Sequence, residues 1–577
     1  MKDIHVDSVT LDIVKDTLIA VSNEVFYAFA RTSMSPIIYE TLDYASGIAD
    51  VDGNLLTQGN GACGFIGLIS PMIQDTVAKY GKENMKPEDV YIINDPYMGG
   101  GTHLSDIGMV MPVFYKGELL AFIGNKAHWS DVGGMAAGSF TTDSTEVFQE
   151  GLRFSGVKLV DGGIISQQVV DMIKGNVRFP ETAQGDMWGQ IASLRTGYKR
   201  IGELCDKYTV EVVKESMKRL LEQGSLVAYK RIKELPKGSW DMEEYMDDDG
   251  HGNPVKLKLK VTITDDEFIA DFTGSSPQVA SPINTGYSSL CAGVKVIYMS
   301  ILGPELAVND GVFKPMRIFA EDGSVLRCHT PAPTSCYFES MIYSSDIVWK
   351  ALAPVFPEAL GAGHMLSVCS VVLAGTRQED GEAFLIVEPT GGGWGASRGK
   401  DGEVGQFCVG DGETYNVPVE MAENRYGIRI EEYSLHTDGK GAGEFRGGSG
   451  AVRSYRAMTD GQQFTASFGR NKFPAWGAAG GQDGSYNYFE FHHTDGTVEG
   501  PMGIVARKVM NRGDVAYMVT CSGGGYGEPL KREPKKVAWD VKNEYITVAQ
   551  AKEDYGVLID PQTFEVKGMT DARREAM

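Results

Sequence analysis

The chain has 577 residues, a formal charge of −23 and 71 glycines. That length lies far above the range where burial is marginal, so no disulfide or metal staple is needed to support a core. The acidic balance, with no long Lys/Arg run, argues against nucleic acid as a partner, because phosphate neutralisation dominates that affinity.

Glycine exceeds its usual share of about 7% and gathers in short clusters, which points to tight turns and close backbone approaches rather than low complexity. The eight cysteines are dispersed without a CxxC pair and read as reduced thiols. The opening MKDIHVDSVTLDIVKD lacks a cationic region followed by an apolar one, and no run of about 18 apolar residues occurs. The expectation is a cytoplasmic protein without membrane association.

In chain order, Leu11, Val14, Leu18, Val21, Val25 and Ala28 recur at spacings of three and four, an amphipathic helix capped by Asp7 or Ser8. Asp52-Gly53 sits between two short runs as a hairpin turn. Ser70, Pro71 and Gly81 predict a helix over 71–80, with Ser70 as cap and Pro71 at its first position. Strands are expected at 89–93, 107–115 and 118–124, and mainly helix from 165 to 235. Beyond 236 the period changes to alternating runs such as KLKLKVTIT and AFLIVEP, with DDDGHG at 247–252 as an exposed loop. The fold class expected is α+β: an N-terminal mixed α/β region over 1–235, a β-rich region with glycine-rich loops over 236–520, and a C-terminal segment over 521–577.

Two apparent motifs are decoys. Gly59-Asn-Gly61-Ala-Cys-Gly64 satisfies GxGxxG, but no βαβ unit or acidic ribose partner accompanies it, so it reads as a turn. GASRGKDG fails as a phosphate loop, because Trp394 stands where the first glycine belongs and Asp401 where Ser or Thr belongs. Any ATP used must be bound by another chain.

The chemistry-bearing signal is NDPYMGGGTHLSD followed by NKAHWSD. A two-residue turn at Lys116-Gly117 makes strands 107–115 and 118–124 a hairpin. Opposed residues then sum to 233, so an unbulged ladder sets His128 against residue 105, beside the segment from His103 to Asp106. Two imidazoles and a carboxylate at one end of a hairpin suit a divalent cation if a fourth ligand arrives from elsewhere. Asp43, in an irregular link near a glycine, is the candidate. Such a set fits zinc, manganese or iron equally.

These motifs, with ETLDYASGIADVDGNLLTQG upstream and EPTGGGWGASRGKDG, YNVPVE, GAGEFRGGSG and SGGGYGEPLKREP downstream, resemble the hydantoinase B/oxoprolinase family over about residues 8–560. The resemblance implies a hydantoinase B-like fold and a divalent metal at Asp43, His103, Asp106 and His128. It also implies a hetero-oligomer with a hydantoinase A-type subunit that holds ATP. The implied activity is ATP-dependent hydrolysis of a cyclic amide such as a hydantoin, 5-oxoproline or another lactam. Carboxylation of a ketone of the acetone or acetophenone type is the alternative, and a non-catalytic scaffold a further one. Lys126 and Asn125, just before His128, are candidates to reach substrate or phosphate oxygen. The EPTGGGWGA and SGGGYGE loops read as tight turns rather than anion nests, and Asn94 and Asp95 as caps before Pro96.

Overall fold

The computed structural model describes residues 6–412 and 414–576, so the first five residues of the N-terminal stretch considered as a leader lie outside it. Helix α1 (Ser8–Thr32) starts where the cap signal put it: Asp7 Oδ1 accepts from Thr10 N at 3.0 Å, and Leu11, Val14, Leu18, Val21 and Val25 are buried. The short helix α2 (Pro36–Tyr39) leads into strands β1 (Tyr44–Ala49) and β2 (Leu55–Gly61). Asp52-Gly53 turns between them, with Gly53 at φ +79°.

Helix α3 (Cys63–Tyr80) corrects the expectation for 71–80, since Pro71 lies inside it and Ser70 is not its cap. The Ser70 hydroxyl donates to Gly53 O at 2.7 Å. Phe65, Leu68, Ile69, Met72 and Ile73 are all buried and continue the helical spacing across the proline. Burying those turns outweighs the roughly 3 kcal/mol that an interior proline costs. Gly81, at φ +74°, ends the helix as expected.

Five further strands complete the first sheet: β3 (Val90–Ile93), β4 (Asp106–Tyr115), β5 (Glu118–His128), β6 (Val157–Asp161) and β7 (Ile164–Ile165). The seven strands run antiparallel in the order β2-β1-β5-β4-β3-β6-β7. The expected helical stretch divides into α4 (Gln167–Asn176), α5 (Pro180–Tyr208) and α6 (Val210–Glu234). Helices α1 and α5 cover one face of the sheet and α3 the other. Alternation along β5 follows: Ile123 faces the α1/α5 side beside Gly197, whereas Gly124 lies against Ile69, Met72 and Ile73 of α3.

The second half is β-rich with helices between its sheets, as expected. Strands β8 (Gly238–Met246), β9 (Val255–Ile263), β10 (Phe268–Asp271) and β11 (Met316–Phe319) form a four-stranded sheet. Strand β9 buries Val255, Leu257, Leu259, Val261 and Ile263 and turns the intervening residues outward. Helix α7 (Tyr287–Leu302) packs between α3 and α8 (Tyr337–Leu352). Strands β12 (Ser370–Thr376) and β13 (Ala383–Glu388) join Gln462–Ser467 and Ile504–Met510 in a second four-stranded sheet, beside a six-stranded one. The largest apolar cluster runs from Phe26 and Ile69 through Tyr337 and Ile347 to Phe464 and Met518, so both halves share one core. No described helix is long and apolar enough to cross a membrane.

Candidate metal centre

Strand register decides which side chains meet at the open end of the β4–β5 hairpin. Tyr115 opposes Glu118 and Phe114 opposes Leu119, but Val113 opposes Ala121, leaving Leu120 as an extra residue. This bulge corrects the unbulged pairing by one position, and His128 falls opposite Asp106 rather than residue 105. Directly opposed residues project from the same face, so the shift puts the imidazole and the carboxylate side by side.

His103 precedes β4 in a turn closed by Asp106 N donating to His103 O at 3.2 Å. The glycines before it let that loop lie on α3: a Cβ on Gly99 would stand 2.2 Å from Pro71 O, and one on Gly100 2.6 Å from Met72 Cβ. His103, Asp106 and His128 each present a ligand atom within 4.8 Å of the others, and all three are buried. The two rings are 5.0 Å apart between centroids, and His103 Nε2 is 3.0 Å from Asp106 Oδ1.

The donor set fits a divalent cation. His103 Nδ1 lies 2.8 Å from Ser335 O, and a proton on Nδ1 donated to that carbonyl would free Nε2, the nitrogen facing Asp106, to bind a cation in place of its own proton. Among the described residues Asp106 Oδ2 and His128 Nδ1 have no hydrogen-bond partner, and Asp106 Oδ1 meets only the His103 ring at 3.0 Å. Buried polar atoms are normally paired, so several orphans at one point mark a ligand position. Burial, and then His103, push His128 down to about 4, so its ring is neutral near pH 7, as a metal ligand must be. Burial opposes the Asp106 anion, but His103, Lys126 and His128 hold its pKa below the usual carboxylate range. Burial, and then the like charges of Asp106 and Asp411, push Asp43 well above it. An Asp43 anion disfavoured by burial and by its carboxyl neighbours would be stabilised by a cation beside it.

Asp43 lines the same cavity but stands outside the group of three whose ligand atoms converge. Its irregular backbone comes from Leu42 at φ +61°, not from a neighbouring glycine, and its carbonyl accepts His128 N at 3.0 Å. Lys126 shares a face with His128, and its ammonium donates to Asp106 O at 2.9 Å. Asn125 projects from the opposite face, where its amide donates to Gln190 O and Ser193 Oγ on α5 at 3.2 and 3.0 Å. Asn94 is a buried latch rather than a cap, donating to Leu104 O at 2.6 Å and accepting from Phe154 N at 2.6 Å. Asp95 does act as a turn cap, accepting from Tyr97 N at 3.1 Å. The glycine loops donate to carbonyls, Gly393 N to Cys521 O at 2.9 Å and Gly523 N to Gly448 O at 3.0 Å, which is the packing role expected of them.

Several residues escaped the sequence. The cavity encloses about 60 Å³, and its far wall comes from the second half: Tyr337 on α8, Glu388 and Asp411. The Tyr337 ring lies 5.1 Å from that of His103. Only the glycines flanking Asp411 hinted at it. Glu150 gave no signal, yet its buried carboxylate accepts from Thr334 N and Ser335 N, both at 2.9 Å, and thereby aims the Ser335 carbonyl at His103. Glu150→Ala is expected to cost about 3 kcal/mol by leaving those buried donors unpaired. It should also weaken metal affinity by roughly 10–100-fold, because the imidazole loses its orienting partner. Thermal melting and chelator competition read the two effects separately.

Comparison with known proteins adds kinship. A family model described as hydantoinase B/oxoprolinase matches residues 7–529. A protein of Pseudomonas sp. (strain NS671), provisionally named as the B component of a D-/L-hydantoinase, is 30% identical over 593 residues, covering 99% of this chain and 98% of that one. The crystal structure of an ATP-dependent caprolactamase from Pseudomonas jessenii superposes with a TM-score of 0.90 at 26% identity, over 99% of each chain. A nucleotide-free acetone carboxylase also reaches 0.90, covering 99% of this chain and 82% of that one; at 19% identity it attests the fold alone.

Proposed function

Because the chain belongs to the hydantoinase B/oxoprolinase family, we propose that it is the metal-carrying B-type subunit of an ATP-dependent hydrolase acting on a cyclic amide. The observation that carries this reading is the convergence of His103, Asp106 and His128 in one buried cavity, with orphaned ligand atoms. A divalent zinc, manganese or iron ion held there would polarise a carbonyl oxygen and lower the pKa of water. Asp43, on the same wall, is the proposed fourth ligand. Lys126 contributes by fixing the backbone carbonyl of Asp106 and by neutralising part of the local negative charge. Asn125 contributes by holding β5 against α5. Both are proposed as positioning residues.

The partner is an A-type subunit that holds ATP and phosphorylates the substrate oxygen, a reasonable use of ATP where an amide resists direct attack. This chain lacks a phosphate loop. Residues 1–235 would supply the metal ligands, and the β-rich remainder the opposing wall. Hydrolysis is preferred over carboxylation because relatives at 30% and 26% identity carry hydantoinase and caprolactamase names, whereas the carboxylase, at 19%, shares only the fold.

The test is the reconstituted pair supplied with ATP, measured against hydantoin, 5-oxoproline and caprolactam, and separately against acetone with bicarbonate. Lactam-dependent ATP turnover with ring opening is expected. Turnover confined to ketone and bicarbonate would make the chain part of a carboxylase instead.

A further inference from the structure

Four carboxyl side chains line the metal cavity: Asp43, Asp106, Glu388 and Asp411. Asp106 converges with the two imidazoles, and Asp43 adjoins them. Glu388 is committed elsewhere, in a fully buried ion pair with Arg453 at 3.0 Å and in accepting Val417 N at 2.9 Å. Among the described residues the Asp411 carboxyl is held only by hydrogen bonds from Cys408. The residue is partly buried, and its Oδ2, itself shielded from solvent, has no hydrogen-bond partner among the described residues. Nor does any described Lys, Arg or His form an ion pair with it.

The loop that carries Asp411 is pinned to the first half of the chain at the start of α3. Gly64 N donates to Gly410 O at 2.9 Å, the Cys63 thiol to Val409 O at 3.0 Å, and Tyr415 N to Thr41 O at 3.1 Å. A Cβ on Gly412 would stand 2.6 Å from Gly61 O, so this close approach requires glycine. Thr414 Oγ1 donates to the Asp411 carbonyl at 2.7 Å and fixes the turn. A carboxyl on a firmly held loop, with one unpaired oxygen, therefore lines the same cavity as the imidazoles.

We propose that Asp411 is the acid–base residue of this cavity, taking a proton from the water that attacks the phosphorylated substrate and returning it to the departing nitrogen. The proposal rests on the hydrolase reading, in which the substrate carries phosphate on its former carbonyl oxygen and a proton on nitrogen. In the first step an O–H bond of water breaks, its proton passes to the Asp411 carboxylate, and the oxygen bonds to the carbon while the C=N π pair moves onto nitrogen. In the second, the C–N bond breaks with its electron pair remaining on nitrogen, which takes the proton back from Asp411, while the added hydroxyl loses its own proton to solvent and becomes the carbonyl of an acyl phosphate. A second water then cleaves the acyl phosphate to carboxylate and inorganic phosphate, so two waters are consumed and the Asp411 carboxylate is regenerated. Burial raises the Asp411 carboxyl above the usual carboxylate range, against hydrogen bonds from Cys408, so its protonated form is within reach.

The experiment compares Asp411→Asn with wild type, each as the full chain assembled with its A-type partner, on the lactam that wild type hydrolyses. Expected are a kcat lower by about 10²–10⁴-fold, in line with loss of a positioned acid–base group, a nearly unchanged KM, and a metal content equal to wild type. A kcat within a few-fold of wild type would overturn the assignment. So would a joint loss of metal and kcat, which would make Asp411 a ligand. Failure of the hydrolase reading shows instead in the wild type, as turnover of ketone with bicarbonate and none of lactam, and would remove the water step whatever the variant did.

Discussion

Replacing His128 with alanine is expected to strip the bound metal and lower turnover of the assembled enzyme by about 10³-fold or more. The loss of several kcal/mol of charge stabilisation supplied by a catalytic ion corresponds to that factor. The fold should survive, because His128 contributes to it mainly through its backbone: its N–H donates to Asp43 O and its position ends β5 opposite Asp106, neither of which needs the ring. The side chain removed already borders a cavity, so the stability cost is about 1–2 kcal/mol. Metal analysis, circular dichroism and the coupled assay together check this. A folded variant with wild-type metal content and activity would place the ion elsewhere.

Gly448→Ala is expected to abolish folding. An alanine Cβ there would lie 1.7 Å from Glu403 O and 2.5 Å from Glu403 C, both backbone atoms with no rotamer to give. The loop cannot back away, since Gly448 N donates to Trp394 O at 2.9 Å and Gly448 O accepts from Gly523 N at 3.0 Å. Relief requires breaking this knot of backbones, a loss above about 4–5 kcal/mol, comparable with the whole stability of many domains. Gly202→Ala is the control. It lies within α5 with nothing near its Cβ position, and should stabilise by roughly 0.5–1 kcal/mol. Soluble yield and apparent melting temperature separate the two. A Gly448→Ala chain that melts like wild type would mean the backbones are not in contact.

What the sequence could reveal follows from which interactions are local. Helix α1 and its Asp7 cap, the Asp52-Gly53 turn and the alternation along β9 all depend on neighbours within a few residues. So does the hairpin that brings His103 and Asp106 near His128. The errors came where distant packing prevailed. Pro71 looked like a helix start until the burial of Phe65 and Leu68 carried α3 through it, and no turn rule announces the extra residue at Leu120. Asp411, Tyr337 and Glu150 reach the centre only through contacts between the two halves of the chain. No spacing within a single segment encodes those.

The proposed chemistry requires one cation at the end of the β4–β5 hairpin. Anomalous scattering from a crystal of the metal-loaded chain, measured on both sides of the metal's absorption edge, locates it directly. The expected result is a single strong peak about 2.0–2.3 Å from ring nitrogens of His103 and His128 and a carboxylate oxygen of Asp106, the range of metal–nitrogen and metal–oxygen bonds. A peak bound by other residues, or none at that position in a crystal shown to contain metal, would contradict it.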